Sequence, residues 1–305
     1  MGKIITWLTV TLLLVALLVY CLGGFGNMVI HLGINTYTYD DGMAYSAASS
    51  FTVDSIKELD IDWIRGNIKV LLHEGELFEI SESAQEDSDE ALMLHYRLDG
   101  SKLVIKYAED GVRIPSDLSK DITILIPSDA APLLSFSSET VSSSVEMQGV
   151  RINDVEGDSV SGSFTFTDCT VNAYDLSSTS GSVYINGIFE DVECETVSGN
   201  IKLLNQAAES LKIGIVCESV SGGISIASDK FADGNITLDT VSGDCTVECS
   251  EFLNGFTARF DTVSGDISCE YPTNDSDKKH LNGDGKFKIA VNTVSGDLKI
   301  NKVAE

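Results

Sequence analysis

The feature that most constrains this chain is a short motif, Val-Ser-Gly, that recurs through its C-terminal half. Seven copies, one with Thr in place of Val, centre on Ser161, Ser180, Ser198, Ser221, Ser242, Ser264 and Ser295, and a degenerate copy at 141–144 precedes them. Successive copies lie 18 to 31 residues apart. Self-similarity at such a period is typical of solenoids, in which each repeat covers the apolar side of the next.

Each copy is followed by alternating apolar and polar residues. Two residues after the glycine stand Phe164, Val183, Ile201, Ile224, Cys245, Ile267 and Leu298, and four residues after it stand Phe166, Ile185, Leu203, Ile226, Val247, Cys269 and Ile300. A period of two indicates a β-strand with one buried face. One repeat cannot bury that face alone, so the strands of successive repeats are expected to stack in parallel.

The sequence therefore predicts an all-β fold, a right-handed parallel β-helix or solenoid, because crossovers between parallel strands are right-handed. The solenoid should comprise about eight rungs over 128–305, with a loop insertion at 271–286. A less regular β-rich segment over 51–127 precedes it, and residues 65–68 of that segment form a diverged copy of the turn.

The turn glycines are expected to have a structural role. They are Gly162, Gly181, Gly199, Gly222, Gly243, Gly265 and Gly296. Each should either adopt a positive φ or lie where a Cβ would clash. The serine before each glycine and the hydroxyl residue three before it would form two ladders that satisfy the turn backbone. A nucleophilic role for that serine is not indicated, because no Gly-x-Ser-x-Gly elbow surrounds it.

Two acidic columns accompany the turns. Four residues before the glycine stand Asp158, Glu195, Glu218, Asp239 and Asp261, and directly after it stand Asp244, Asp266 and Asp297. Stacking would bring like charges ~4.8 Å apart, which costs about 0.9 kcal/mol per pair in water. The columns are either a solvated face or ladders that recruit Ca²⁺ or Mg²⁺, which prefer carboxylate oxygens. No other cofactor is expected.

The N-terminus predicts a membrane anchor. Lys3 precedes an apolar run from Ile4 to Leu22, close to the ~20 residues that span a bilayer. The positive-inside rule places the N-terminus in the cytoplasm and the ectodomain outside. We assign 1–23 to a single-pass transmembrane anchor and 24–50 to a linker. The alternative is a signal peptide cleaved near Gly23, and a secreted protein.

Composition narrows the range of partners. The chain has 47 acidic and 20 basic residues and a net charge of −27, so nucleic-acid binding is not expected. Seven cysteines occur without a Cys-x-x-Cys pair. Cys194 and Cys217 share one column, either as small core residues or as a disulfide between adjacent rungs.

Several of these elements together resemble a known family. They are the apolar N-terminus, a Leu-Asp-Ile-Asp-Trp strand at 59–63, a Gly-Ser-Lys-Leu-Val-Ile strand at 100–105 and the serial Val-Ser-Gly-Asp turns. Over about 51–302 the chain resembles the DUF4097 family of bacterial cell-envelope proteins, which carries an adhesin label. The resemblance implies a right-handed β-helix-like fold, a link of some relatives with envelope stress, and no catalytic residues to carry over.

Three functions follow as hypotheses. The first is a non-enzymatic, membrane-anchored cell-envelope protein, an adhesin or other surface-binding module whose solenoid faces bind a cell-wall polymer, a glycan or an envelope protein. The second is the ectodomain of an envelope-stress sensing or regulatory system. The third, a glycan-active β-helix enzyme, is disfavoured, because a glycosidase needs one acid–base pair in a cleft, whereas these carboxylates repeat along a face.

Overall fold

The computed structural model describes residues 36–39, 41–83, 89–207, 212–276 and 279–303. Within these ranges the chain forms 22 β-strands and one short 3₁₀ helix, Glu90–Leu92, so the all-β prediction is confirmed. In this described part, no helix has the length and apolar character needed to cross a membrane. The predicted anchor at 1–23 and the start of the predicted linker lie outside the described residues.

The strands fall into an upstream group and a repeat group. Upstream are β1 (Ser46–Ala48), β2 (Ser50–Val53), β3 (Glu58–His73), β4 (Phe78–Ser83), β5 (Leu94–Asp99), β6 (Lys102–Lys106) and β7 (Asp121–Pro127). The repeats supply β8 (Leu133–Gln148), β9 (Arg151–Ser159), β10 (Phe164–Ser178), β11 (Val183–Thr196), β12 (Ile201–Asn205), β13 (Lys212–Ser219), β14 (Ile224–Phe231), β15 (Asp233–Thr240), β16 (Cys245–Phe252), β17 (Phe256–Thr262), β18 (Ile267–Cys269), β19 (Asn274–Ser276), β20 (Lys279–Asn282), β21 (Phe287–Thr293) and β22 (Leu298–Lys302).

Most strands belong to coils. In coils 4 to 10 a pre-turn segment leads into the Val-Ser-Gly turn, which is Thr-Ser-Gly in coil 5, and a post-turn segment follows it. Coils 1 and 3 have diverged turns, and in coil 2 residues 107–120 connect the two segments. Both segments pair in parallel with those of neighbouring coils. Numbered along the chain, the ten coils of the described part span 58–73, 102–127, 133–148, 151–167, 170–187, 188–205, 212–231, 233–252, 256–269 and 287–302.

The core is built from the inward columns that the alternation predicts. In stacking order, the column two residues after the turn glycine is Ile122, Ile68, Val145, Phe164, Val183, Ile201, Ile224, Cys245, Leu298 and Ile267. All but the terminal Ile267 are fully buried. Complete burial of such a side chain stabilises the fold by about 1.5–3 kcal/mol, so the continuous row is a principal source of stability.

The coils do not stack in chain order at either end. β3 of coil 1 pairs with β6 and β7 of coil 2 on one side and with β8 of coil 3 on the other. At the other end, Leu298 of coil 10 pairs with both Cys245 of coil 8 and Ile267 of coil 9. The order along the stack is therefore 2-1-3-4-5-6-7-8-10-9.

The expectation that each repeat covers the next in sequence is thus wrong at both ends. The physical reason is that the coils present equivalent inward columns. Leu298 and Ile300 fit against Cys245 and Val247 as the corresponding residues of coil 9 would. The long connection between coils 9 and 10 lets the chain return to the position that it skipped between coils 8 and 9.

Antiparallel strands cover most of the outer edges of the stack. At the coil 2 end, β5 pairs with β6 and β4 pairs with β7, and β1 and β2 extend these pairs. The buried Lys120 ammonium lies 2.9 Å from a carboxylate oxygen of Glu82 and joins β4 to the start of β7. At the coil 9 end, β20 pairs with β17. Covered edges protect a sheet against pairing with other chains.

The predicted linker and the predicted loop insertion both contain β-strands that the sequence did not indicate. In the predicted linker, 24–50, Tyr37 and Tyr39 are buried and β1 pairs with β5. The predicted loop insertion, 271–286, contributes β19 and β20 as an antiparallel cap on coil 9. Aromatic packing in the first case and backbone pairing with an edge strand in the second order these polar stretches.

Candidate functional site

Two ladders of hydroxyl groups hold the turn backbone. In coil 6, Thr196 Oγ1 accepts a hydrogen bond from the Gly199 N–H at 2.9 Å and donates one to the Gly181 carbonyl of coil 5 at 3.2 Å. Ser198 Oγ donates to the Thr179 carbonyl at 3.4 Å. The bond to the glycine N–H and the serine bond recur in coils 4, 5, 7 and 8. The repeated hydroxyls therefore satisfy turn polar groups, as buried backbone requires.

Close packing explains the turn glycines. The seven turn glycines have no φ in the left-handed region. A Cβ on Gly199 would overlap the carbonyl oxygen of Gly181 in the neighbouring coil, and the other six meet an equivalent carbonyl. Gly265 approaches Gly296, which in turn approaches Gly243, so these contacts trace the permuted order of coils 8, 10 and 9 independently.

In the column directly after the glycine, carboxylates accept hydrogen bonds from the backbone of the next coil. The Asp297 N–H donates to Asp244 Oδ1 at 3.0 Å, and the Asp266 N–H donates to Asp297 Oδ1 at 2.9 Å. Ser163 and Ser182 occupy the same column, and each accepts from the next coil in the same way. These side chains cap the next turn, which is a structural use of the carboxylates.

The acidic column four residues before the glycine is longer than the repeats indicated. In stacking order it runs Lys106, Asp62, Glu139, Asp158, Ser177, Glu195, Glu218, Asp239, Asn292 and Asp261. We call it the acidic column. It crosses all ten coils on the outward side of the pre-turn segments, and Lys106 forms an ion pair with Asp62 at its end.

Two neutral residues interrupt the acidic column. Ser177 Oγ donates to Asp158 Oδ1 at 2.5 Å, and Asn292 Nδ2 donates to Asp239 Oδ1 at 2.6 Å. Each places a hydrogen-bond donor where another carboxylate would repel its neighbour. Two uninterrupted runs of three carboxylates remain. Asp62, Glu139 and Asp158 lie between Lys106 and Ser177, and Glu195, Glu218 and Asp239 lie between Ser177 and Asn292.

The middle acids of these runs are Glu139 and Glu218. Partial burial, followed by the charges of Asp62 and Asp158, raises the pKa of Glu139 to about 7. Partial burial, followed by the charges of Glu195 and Asp239, raises the pKa of Glu218 to about 7. Within the described part, Oε2 of each middle acid is buried without a hydrogen-bond partner. Each therefore keeps its proton to a higher pH than an ordinary glutamate does.

In the ranges that the structure describes, no group of three or more His, Cys, Asp or Glu side chains could hold a metal ion. Asp244, Asp266 and Asp297 lie in the column directly after the glycine, where they form backbone-to-carboxylate hydrogen bonds between neighbouring coils. Asp158, Glu195, Glu218, Asp239 and Asp261 lie in the acidic column. Ca²⁺ or Mg²⁺ binding there stays a prediction.

The outward side of the post-turn segments has a different character. Its central column, three residues after the glycine, runs in stacking order Thr123, Lys69, Glu146, Thr165, Tyr184, Lys202, Ser225, Thr246, Lys299 and Ser268. We call it the lysine column. Tyr184 is half-buried, and Lys202 Nζ lies 5.9 Å from the centre of its ring.

Comparison with known families identifies the fold. The family model described as Toastrack DUF4097 matches residues 56–301. The chain belongs to the Toastrack DUF4097 family. The resemblance inferred from the repeated turn is thereby confirmed, and the solenoid-like stack is the form that the Toastrack fold takes in this chain.

Two solved structures illustrate what this chain is similar to. A crystal structure described as a “putative adhesin” from Bacteroides fragilis is 16% identical, with a TM-score of 0.49, covering 82% of this chain and 94% of that one. A “putative lipid binding protein” from Parabacteroides distasonis is 13% identical, with a TM-score of 0.45, covering 84% of this chain and 95% of that one. Among curated proteins, none matches the chain.

In the part of this Toastrack chain that the structure describes, five of the six cysteines are buried in the core and Cys269 is partly exposed. Cys194 and Cys217 are register neighbours on coils 6 and 7 and are both fully buried as thiols. Burial raises the pKa of Cys194 well above its usual value. The core interpretation therefore describes them, and the disulfide between adjacent rungs is absent from the described residues.

Sequence reasoning missed the upstream part of the acidic column and the whole lysine column. Asp62 and Glu139 stand four residues before Gly66 and Ser143, the diverged equivalents of the turn glycine. Alignment of those two copies would have found them. The lysine column carries mixed residue types, so only the paired registers reveal that Lys69, Lys202 and Lys299 share one line.

Proposed function

We propose that this protein is a non-enzymatic binding module of the cell envelope. The apolar segment 4–22 would hold it in the cell membrane, and the Toastrack solenoid, wound right-handed, would lie outside the cell. Its faces would bind an extended partner: a cell-wall polymer, a glycan or an envelope protein.

The observation that carries this proposal is the contrast between two outward faces of coils 4 to 7. On the pre-turn face of these coils, the outward positions four, six and eight residues before the glycine hold no basic residue and eight carboxylates: Asp154, Glu156, Asp158, Asp175, Asp191, Glu193, Glu195 and Glu218. Outside these positions the same strands carry the exposed Arg151, Glu190 and Lys212. The outward positions one, three and five residues after the glycine in the same coils hold no carboxylate and one basic residue, Lys202. The exposed Asp229 and Lys230 lie beyond these positions, near the end of β14.

Such repetition favours binding over catalysis. Chemistry at one bond requires a single arrangement of acid and base, whereas each coil here repeats its neighbour's outward positions. Stacked repeats present extended surfaces that match long ligands. The charge contrast would give each face its own class of partner, because like-charged ligands are repelled.

Binding to cell-wall material tests the proposal. Purified full-length protein in detergent micelles would be incubated with cell-wall fragments and, separately, with solubilised membrane proteins from the same source. Co-sedimentation with wall fragments supports the surface-binding function. Recovery of one membrane protein supports a regulatory complex, and binding to neither contradicts the proposal.

The membrane anchor has its own test. Full-length protein expressed in intact cells should stay with membranes after alkaline washing, and external protease should digest the solenoid. Release of a shortened chain into the medium would instead support the cleaved signal peptide.

A second candidate is a sensing or regulatory ectodomain, and the two middle acids of the acidic column favour it. Glu139 and Glu218 change charge close to neutral pH. A change of external acidity would therefore alter the charge of the pre-turn face, and with it the affinity of a cationic partner. Partner recovery that changes between pH 6 and pH 8 would support this candidate.

A further inference from the structure

The lysine column differs in charge from every other outward line of the solenoid. It holds Lys69, Lys202 and Lys299 against one acid, Glu146. Six outward columns cross the ten described coils, at eight, six and four residues before the turn glycine and at one, three and five residues after it. The five columns other than the lysine column each hold more acidic than basic residues. In a chain of net charge −27, this line is where an anionic ligand meets the least repulsion.

Side chains along the lysine column offer contacts suited to sugars. Tyr184 lies between Thr165 and Lys202 in register, with part of its ring exposed. Beside it, Gln206 Nε2 donates to Asn186 Oδ1 at 2.6 Å, which leaves an exposed amide donor and acceptor next to the ring. Aromatic faces pack against the C–H faces of sugar rings, and amides and hydroxyls bind sugar hydroxyls.

We infer that the lysine column is a binding strip for a carboxylated glycan that lies along the axis of the stack. The inference rests on the proposed binding function and names its ligand class. Lys202 would pair with a sugar carboxylate, and Tyr184 would pack against the neighbouring ring. Lys69 and Lys299 would contact the chain farther along.

The dimensions of the strip fit an extended chain. Coils rise by ~4.8 Å, so ten coils span about 43 Å. One rise is similar to the length of one sugar unit in an extended polysaccharide, so side chains of successive coils can contact successive units. The Lys69 ammonium lies 3.7 Å from a carboxylate oxygen of Glu146 and forms an ion pair with it. The exposed lysines of the column are therefore Lys202 and Lys299.

Other ligand classes fit this strip less well. A polyphosphate would call for denser positive charge than three lysines in ten coils. A basic peptide would be directed to the pre-turn face, where eight carboxylates lie on coils 4 to 7. A hydroxyl-rich strip with one tyrosine and spaced lysines best matches a carboxylated glycan.

The test measures binding of three probes to the full-length protein by fluorescence anisotropy. The probes are labelled oligogalacturonate, cellohexaose and a polyphosphate of matched length. Oligogalacturonate should bind more tightly than the neutral cellohexaose and lose affinity with added salt. Lys202→Glu and Tyr184→Ala should each weaken it at least tenfold, with unchanged thermal unfolding.

The matched control is Glu193→Gln on the pre-turn face, which should leave the affinity unchanged. Wall binding that persists in Lys202→Glu and Tyr184→Ala would overturn the inference while sparing the proposed function. The inference also fails if polyphosphate binds more tightly than oligogalacturonate, or if wild-type protein binds wall fragments but not oligogalacturonate. If the wild-type protein binds neither wall fragments nor a membrane protein, the proposed function itself is contradicted.

Discussion

Glu139 and Glu218 occupy equivalent positions, each as the middle acid of a run of three carboxylates in one column of stacked strands. The coincidence of their pKa values, both about 7, follows from this shared geometry. Ser177 and Asn292 interrupt the same column, and their donors bind the adjacent aspartates. The acidic column thus alternates between sites where a neutral donor binds a carboxylate and runs where neighbouring carboxylates repel each other.

Stability should therefore fall as pH rises through neutrality. A carboxyl whose pKa is raised from 4.5 to about 7 by folding binds its proton more tightly in the folded state. The resulting stabilisation is present at low pH and is lost between about pH 4.5 and pH 8. Glu218→Gln should remove this loss and raise the Tm at pH 8 by roughly 2–4 °C, about 1 kcal/mol after solvent screening.

Thermal unfolding at pH 5 and pH 8 checks this prediction. At pH 5 the variant and the wild type should differ little, because the wild-type carboxyl is already protonated. Glu190→Gln, at an exposed position of β11, is the control and should show no such pH-dependent gain. A Glu218→Gln variant less stable than wild type at pH 8 would contradict the repulsion.

The hydroxyl ladder predicts different losses of stability for substitutions of two threonines on adjacent coils. Thr196→Val removes the group that bonds the Gly199 N–H and the Gly181 carbonyl, and should cost about 1–3 kcal/mol. Thr179→Val places at the turn the residue that most other coils carry there, so its effect should lie within ~0.5 kcal/mol. Chemical denaturation of both variants measures the difference, and equal losses would speak against the ladder.

The permuted coil order predicts which engineered cysteines can cross-link. In a Cys269→Ser background, Thr246→Cys with Lys299→Cys places two thiols on register neighbours. Neighbouring coils lie ~4.8 Å apart, within the Cα range of a disulfide, whereas Thr246→Cys with Ser268→Cys spans two coils at ~9.6 Å. Mass spectrometry after mild oxidation should find the first bond and not the second, and the reverse would restore the sequential order.

Much of this architecture could be predicted from the sequence, because the turn and its flanking strand are local patterns. Phe164 and Ile224, for example, each stand two residues after a turn glycine, and this spacing predicts that their side chains point inward. The permutation could not be predicted, since Leu298 and Ile267 are chemically interchangeable as neighbours of Cys245. Likewise, Tyr184 and Lys202 are 18 residues apart in the sequence, and only their pairing in β11 and β12 makes them one surface.

The central claim is that coils stack in register with each turn glycine against its neighbour's carbonyl, and two adjacent glycines test it most directly. A Cβ on Gly222 would overlap the Gly199 carbonyl oxygen, whereas a Cβ on Gly223 would meet no atom closer than 3.6 Å. By equilibrium unfolding, Gly222→Ala should lose about 2–4 kcal/mol of stability, and Gly223→Ala should stay within about 0.5 kcal/mol of wild type. Equal stability of the two variants would show that the turns do not pack in this way.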